Sequence, residues 1–170
     1  TFMTFKLKIR RSFFDEETCF NIILKNYQHV RIAPVNDRGI VKELRNSRWY
    51  NYKDEETISK LYKISDKDEL TGLENNLALQ FSEYRVGQYF NWHNDKSKIR
   101  SHIILLNNDF EGGELEFGGM DDLKLKIGDC ITYDSNINHR VKKITSGVRY
   151  SLVAWAYDDD KIWQTDKRFK

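Results

Sequence analysis

The sequence predicts a mainly β chain of the α+β class, in which helices precede a sandwich or jelly roll. From residue 77 to residue 157, short apolar or alternating segments follow one another and glycines separate them. Helical periodicity occurs only before residue 77. About eight short strands in such a stretch are typical of a sandwich or jelly roll. We therefore expect a single domain over residues 1–170, with residues 1–76 as helical support and residues 77–157 as the β core.

The first helix is predicted from a run of acids and the apolar pattern that follows it. Asp15, Glu16 and Glu17 suit a helix N-terminus, where carboxylates interact favourably with the helix dipole. The next apolar residues recur at i, i+3, i+4 and i+7, which predicts one stripe packed on a sheet. The residues of this stripe are Phe20, Ile23, Leu24 and Tyr27.

Two further segments of the front half carry a pattern. The stretch from Glu55 to Tyr62 has helical spacing and brings Ile58, Leu61 and Tyr62 to one side. Residues 30–35 end near the only proline and predict a strand or an extended arm.

The strands of the β core are predicted from apolar runs and from alternation. A continuous apolar run fits a buried strand, whereas alternation with lysine fits a strand with one face in water. The predicted strands are Leu77–Tyr84, Gln88–Asp95, Ile103–Leu106, Glu114–Phe117, Leu123–Ile127, Asp129–Tyr133, His139–Ile144 and Val148–Tyr157.

Composition excludes several classes of function. With 28 basic and 26 acidic residues, the net charge of +2 predicts no strong affinity for polyanions. No apolar stretch has the length of a membrane span, and the N-terminus does not have the pattern of a signal peptide. Cys19 and Cys130 form no CxxC motif and suggest no disulfide framework, so we expect a cytoplasmic protein without a membrane partner.

Two histidines and one aspartate form the most informative motif. His93 and Asp95 are two residues apart, a spacing that places both side chains on one side of a strand. His139 follows in a later predicted strand. Two imidazoles and one carboxylate on one face of a metal make the facial triad of non-heme Fe(II) oxygenases. A His and an Asp two apart are weak evidence alone, but only four histidines occur in the chain.

Arg149 adds a second element to this site. Its guanidinium is a permanently charged fork that suits the distal carboxylate of a 2-oxo acid. The other histidines have ordinary interpretations, His102 as a packed or hydrogen-bonded residue of a strand and His29 as a surface residue near a helix end. Trp92 alternates with His93, so we expect its side chain to pack on the opposite face.

Several segments in register resemble a known family. The run from Tyr84 to Asp95 resembles the tyrosine-glycine-tyrosine-H-x-D stretch of 2-oxoglutarate- and Fe(II)-dependent dioxygenases, particularly the prolyl 4-hydroxylase-like branch. Leu106-Asn107 with the turn at residues 111–115, and Asn138-His139 with the strand at residues 149–155, resemble later motifs of that branch. The likeness covers roughly residues 77–157, and the front half matches only loosely.

The resemblance implies a double-stranded β-helix of the jelly-roll or cupin-like type, with helices packed on one sheet. It implies His93, Asp95 and His139 as iron ligands, and a cosubstrate, 2-oxoglutarate, whose 5-carboxylate pairs with Arg149. The resemblance also implies O2 as the second cosubstrate and suggests a supporting role for ascorbate. Tyr84 and Ser151 are expected to add hydrogen bonds, and Trp155 either walls the cosubstrate pocket or belongs to the core. Many prolyl hydroxylases have a further tyrosine where this chain has Leu105.

The substrate remains open at this stage. The resemblance suggests a hydroxylase of a protein or peptide, most readily of proline, and a lid formed by the front half. Arg45, Arg48, Trp49, Tyr50 and Tyr52 form an arginine-aromatic cluster that fits such a lid or equally an aromatic strand packed on a helix. Basic and aromatic residues also suit an unpaired base. The alternatives are therefore an oxygenase of a nucleobase or free amino acid, and a non-catalytic sandwich that binds metal or carbohydrate.

Overall fold

The computed structural model describes residues 7–35, 39–64, 77–95, 98, 100–120 and 123–156. The front half contains β1 (Leu7–Arg10), α1 (Glu16–Asn26), β2 (Arg31–Ile32), β3 (Arg45–Asn46), β4 (Arg48–Tyr52) and α2 (Glu55–Ile64). The β core contains β5 (Leu77–Tyr84), β6 (Tyr89–His93), β7 (Arg100–Leu105), β8 (Phe110–Gly112), β9 (Leu115–Phe117), β10 (Cys130–Asp134), β11 (His139–Val141), β12 (Ile144–Gly147) and β13 (Arg149–Ala156).

These strands form two facing antiparallel sheets and a separate pair of short strands. The major sheet has seven strands in the order β1-β10-β7-β13-β5-β4-β2, and the minor sheet has four in the order β3-β6-β11-β9. β12 pairs with β8 alone. Every pairing in the described part of the chain is antiparallel. The predicted jelly roll is confirmed.

Both helices lie on the outer face of the major sheet, as predicted. A core cluster joins Cys19 and Ile22 of α1 and Leu61 of α2 to Leu79 and Phe81 of β5. α1 begins after Asp15, whose side chain accepts a hydrogen bond of 2.7 Å from the backbone N–H of Thr18. Neither helix is long and apolar enough to cross a membrane.

The predicted packing stripe of α1 is wrong in three of its four residues. Phe20, Leu24 and Tyr27 are exposed, and only Ile23 packs against the core. The buried residues are instead Cys19, Ile22 and Asn26. Cys19 is small enough for the helix to come close to β7, where its Sγ lies 4.0 Å from the carbonyl oxygen of Leu105. The amide of Asn26 is buried because it donates to the carbonyl of Ile22 at 2.8 Å.

Three strand predictions also differ from the structure. Residues 123–127 form no strand, although their burial alternates as predicted. Side chains, and not a neighbouring strand, form hydrogen bonds with the backbone of this segment. Lys126 N donates to Asp129 Oδ2 at 2.8 Å, and Arg11 donates to the Lys124 carbonyl at 3.0 Å. β1 and β8 were not predicted, and the predicted strand His139–Ile144 divides into β11 and β12. Of residues 30–35, only Arg31–Ile32 form a strand.

The space between the two sheets contains a second core cluster and the candidate site. Phe117 and Val141 of the minor sheet meet Ile103, Ile131 and Tyr133 of the major sheet. β11 pairs with β6 so that His139 stands opposite His93. β13 pairs with β5 so that Arg149 stands opposite Tyr84. These two registers place the predicted site residues on the walls of one cavity.

Candidate active site

His93, Asp95 and His139 come together between the sheets. One potential ligand atom from each lies within 4.8 Å of the others, and no other group of three such residues occurs in the described part of the chain. His93 ends β6 and His139 begins β11. Asp95 lies beyond the strand, which corrects the expectation that the pleat positions it. Its place is set by a hydrogen bond of 2.7 Å from its backbone N–H to the carbonyl of Ser135.

Backbone carbonyls orient both imidazoles. Nδ1 of His93 lies 2.7 Å from the carbonyl oxygen of Asn91, and Nδ1 of His139 lies 2.9 Å from that of Ile137. A proton on each Nδ1 satisfies these contacts and leaves Nε2 with a free lone pair. Nε2 of His139 lies 3.7 Å from Oδ2 of Asp95. Two imidazole nitrogens and one carboxylate oxygen are donors that suit Fe(II) with open positions opposite.

The surroundings favour the metal-binding protonation states. Burial, together with the neighbouring His139, lowers the pKa of His93 to about 3. Burial alone would raise the pKa of Asp95, but His139, His93 and Lys98 outweigh it and keep that pKa below its usual value. The imidazole is therefore neutral and the carboxylate charged near neutral pH, as ligation of a cation requires.

Two buried hydroxyls, which the sequence did not point to, hold the Asp95 carboxylate. Tyr133 Oη lies 3.4 Å from Oδ2 of Asp95, and Ser101 Oγ lies 3.3 Å from the same oxygen. Ser101 Oγ also lies 3.0 Å from Ser135 Oγ. Tyr133 is fully buried. Alternation along β10 could have placed Tyr133 on the inner face, but its partners depend on the pairing of β10 with β7.

Arg149 begins β13 and lies buried in the same space, with 2% of its surface exposed. Its Nη1 donates to Ser151 Oγ at 3.1 Å, and its guanidinium carbon lies 5.7 Å from the centre of the Tyr84 ring. Nε has no hydrogen-bond partner, and no acidic side chain pairs with this guanidinium in the described part of the chain. Burial lowers the pKa of Arg149. A buried cation without a counter-ion is costly, so the site suits an anionic ligand.

One cavity of about 410 Å³ joins the three candidate ligands to Arg149. Tyr84, Ser151 and Trp155, which were predicted as cosubstrate contacts, all line it. The Trp155 side chain also contributes to the low pKa of Asp95. The cavity therefore has donors suited to a cation at one end and a buried guanidinium suited to an anion at the other.

The structure separates the predicted substrate cluster. Arg45 is buried and lines the cavity, with its guanidinium 4.7 Å from the centre of the Phe90 ring. Trp49 is buried opposite Ser82, which also lines the cavity. Arg48 and Tyr50 alternate with Trp49 along β4 and face the other way. Arg48 lies 3.5 Å from the carboxylate of Glu83, and Tyr50 packs on the helix-side core. The side chain of Tyr52 lies outside the described residues.

The remaining aromatic and histidine predictions have mixed outcomes. His102 is fully buried, and its Nδ1 lies 2.9 Å from Thr132 Oγ1, which confirms a hydrogen-bonded strand histidine. Trp92 points away from the cavity but is 45% exposed and not packed. The Arg140 guanidinium carbon lies 4.8 Å from the centre of its ring.

Comparison with known proteins identifies related sequences. Residues 79–157 match the family model described as 2OG-Fe(II) oxygenase superfamily. A PKHD-type hydroxylase from Psychrobacter sp. (strain PRwf-1) is 38% identical over 92 residues, which are 44% of this chain and 36% of that protein. A PKHD-type hydroxylase from Thermosynechococcus vestitus is 31% identical over 121 residues, which are 55% of this chain and 54% of that protein. The chain thus spans only about a third to a half of these relatives.

Solved structures share the fold at low identity. A prolyl-4-hydroxylase from Pseudomonas putida aligns with a TM-score of 0.77 and 17% identity, covering 91% of this chain and 94% of that chain. A viral collagen prolyl hydroxylase from Paramecium bursaria Chlorella virus-1, solved as a 2OG complex, aligns with a TM-score of 0.66 and 19% identity, covering 89% and 95%.

Proposed function

We propose that this chain, which belongs to the 2OG-Fe(II) oxygenase superfamily, is a prolyl 4-hydroxylase-like dioxygenase. In the proposed reaction, one oxygen atom of O2 enters a substrate C–H bond to give C–OH. The other oxidises 2-oxoglutarate, which loses CO2 and becomes succinate. The observation that carries this proposal is a single cavity with a His-Asp-His group at one end and an arginine without a counter-ion at the other.

Seven residues around the cavity have a role in this proposal. His93, Asp95 and His139 would hold the Fe(II), which when bound supplies the activation of O2. Arg149 would pair with the 5-carboxylate of 2-oxoglutarate through the guanidinium edge that now has no acidic partner. Tyr84 and Ser151 line the cavity beside it and would donate to the same carboxylate, and Trp155 would form the wall next to Asp95.

We further propose a peptidyl proline as the substrate. Two structural neighbours are prolyl hydroxylases, which supports a protein or peptide partner. Arg45 and Trp49 are the members of the predicted cluster whose positions suit a substrate contact, because they lie on the cavity side of the front half. Residues 1–76 would act as support and lid for a catalytic core at residues 77–157 within one domain. The buried free thiols of Cys19 and Cys130 fit the reducing cytoplasm.

The test is turnover by the purified protein supplied with Fe(II), 2-oxoglutarate, ascorbate and O2. Proline-containing peptides, oligonucleotides and free amino acids are offered in parallel, and mass spectrometry follows succinate and a substrate gain of one oxygen. The proposal expects succinate with all pools and hydroxylation of a peptide. Hydroxylation of an oligonucleotide or a free amino acid instead would keep the oxygenase and overturn the peptide substrate. Iron-loaded protein that makes no succinate with any pool would point to a binding module.

A further inference from the structure

Arg149 lies in the wall between two cavities. Its inner side faces the cavity that contains His93, Asp95 and His139. Its other side faces an outer cavity of about 820 Å³, including the space open to solvent. The turn between β8 and β9 forms one wall of the outer cavity, and residues 123–125 form another. The side chains around it are mainly apolar, namely Leu105, Phe110, Leu115, Leu123 and Leu125.

The backbone of Gly113 lies directly against the Arg149 stem. Gly113 has a φ of +66°, and a Cβ on it would lie 3.1 Å from Cδ of Arg149 and 2.3 Å from Cδ1 of Ile144. Any larger residue here would therefore be strained and would crowd the arginine. Leu105, opposite Ser151 in the pairing of β7 with β13, places a buried apolar side chain at the same boundary.

The guanidinium is held on one side only. Its bond to Ser151 Oγ at 3.1 Å comes from Nη1, while Nε has no partner. No ion pair with a described residue fixes its position, and the outer cavity lies behind it. A ligand carboxylate that arrives from the inner cavity can therefore displace the guanidinium toward the outer cavity, beside the Gly113 backbone, which carries no side chain. Closed apolar pockets separate ligands that differ by one methylene by roughly 10–200-fold, and this pocket lacks the closed end that such selectivity needs.

We infer that the cosubstrate pocket accepts 2-oxo diacids longer than 2-oxoglutarate, with Leu105 and the outer cavity setting the length limit. This inference rests on the proposed function. The nearest case is 2-oxoadipate, which has one more methylene. Its oxidation is balanced like that of 2-oxoglutarate: O2 gives one atom to the substrate C–H bond and one to the 2-oxo acid, which loses CO2 and becomes glutarate.

Binding is measured first, by calorimetry on protein loaded with Mn(II) as a substitute metal. We expect the dissociation constants of 2-oxoglutarate and 2-oxoadipate to agree within about tenfold, less than the usual discrimination for a methylene. With Fe(II) and O2, 2-oxoadipate should yield glutarate. If 2-oxoglutarate binds and 2-oxoadipate binds at least a hundredfold more weakly, the inference fails and the proposed function stands. If neither acid binds, the proposed function fails with it.

Variants test the location of the length limit. Leu105→Phe fills the boundary from β7, and Leu123→Phe fills the outer cavity from its opposite wall. Leu123→Phe should keep 2-oxoglutarate binding, and both variants should weaken 2-oxoadipate binding relative to 2-oxoglutarate binding by about tenfold or more. Leu105→Tyr differs from Leu105→Phe by one hydroxyl. Tighter binding of 2-oxoglutarate to Leu105→Tyr than to Leu105→Phe would therefore identify a new hydrogen bond. An unchanged ratio of the two affinities in both phenylalanine variants would overturn the assignment of the outer cavity.

Discussion

The hydroxyl oxygen of Tyr133 lies 3.2 Å from Nε2 of His139 and is buried between that imidazole and the Asp95 carboxylate. A metal ion on Nε2 would occupy the lone pair that faces the phenol. The hydroxyl can then donate only toward Asp95, whose Oδ2 also accepts from Ser101. Tyr133 would therefore hold the carboxylate in position for a metal on His139 Nε2.

Tyr133→Phe should weaken metal binding by about 10–100-fold, the usual cost of losing a hydrogen bond to a metal ligand. The ring packing against Phe117 stays, so the fold should persist. Competition between the protein and a chelator for Mn(II) or Fe(II) measures the affinity, and thermal unfolding of the apo variant serves as the control. Equal metal affinity in variant and wild type would show that Tyr133 only fills space.

Replacement of His93, Asp95 or His139 by alanine should each abolish metal binding and turnover. One of three protein donors is lost in each case, and the remaining two cannot hold the ion in the same geometry. Equilibrium dialysis with Fe(II) under anaerobic conditions gives the first measurement. The absorbance band of Fe(II) chelated by the 2-oxo acid gives the second. His29→Ala is the matched control, because its imidazole lies 5.0 Å from the Tyr50 ring, centre to centre, and away from the cavity. Normal turnover in any of the three would show that the metal lies elsewhere.

Arg149→Ala should raise the apparent dissociation constant of 2-oxoglutarate by roughly two to four decades. A broken buried charge pair typically costs about 3–5 kcal/mol, and metal binding should change little. Arg149→Lys should restore part of the affinity, since a point charge cannot reproduce the bidentate fork. Tyr84→Phe should cost less, about 1–3 kcal/mol for one hydrogen bond to a charged group. Arg31→Ala, at the exposed sheet edge, is the matched control. An unchanged Michaelis constant for 2-oxoglutarate in Arg149→Ala would refute the cosubstrate assignment.

His102 predicts a loss of stability in acid. Burial, with help from Arg10 and Arg100, lowers its pKa from 6.5 to about 3 in the folded protein. Between these two values the unfolded chain binds a proton that the folded chain does not, so the free energy of unfolding falls as the pH drops from about 6.5 toward 3. His102→Gln should be less stable at pH 7 but should lose less stability on acidification. Urea unfolding at several pH values measures this. If the free energy of unfolding falls equally with pH in the wild type and in His102→Gln, the prediction is wrong.

The two faces of α1 give a direct stability comparison. Ile22→Ala empties a buried site and should cost about 2–5 kcal/mol of unfolding free energy, since Ile22 is 7% exposed. Phe20→Ala removes a larger side chain that is 59% exposed and should change stability by no more than about 0.5 kcal/mol. Urea unfolding of both variants shows which face of α1 packs against the core. A larger loss with Phe20→Ala would restore the stripe that the sequence predicted.

Sequence patterns predicted correctly the strands and site residues that can be recognised within one segment. Leu77–Tyr84 was predicted with the bounds that β5 has, because Leu77, Leu79 and Phe81 alternate with smaller or polar residues beside a turn. His93, Asp95, His139 and Arg149 were found because histidine is rare in this chain and the strands around them are clear. The spatial convergence of these residues still needed the sheet registers.

The remaining differences arise from contacts between distant segments. Residues 123–127 alternate like a strand, but Asp129 and Arg11 satisfy their backbone in place of a neighbouring strand. On α1, two apolar faces compete, and close contact with the sheet selects the one that carries the small Cys19. Tyr133 was missed because its partners are brought beside it by strand pairing. These features depend on which segments pack together in the fold, and the periodicity within one segment does not give that information.

The central position of β13 links the folding order of the chain to its chemistry. β13 separates β1-β10-β7 from β5-β4-β2, and it joins the two halves through its pairs with β7 and β5. A nascent chain that has emerged as far as residue 148 has both halves but not the strand that bridges them. Non-local pairing of this kind is slow to form. Because Arg149 is the first residue of that strand, the step that closes the sheet also delivers the buried cation. The buried guanidinium therefore reaches its place beside Tyr84 only in the step that closes the sheet.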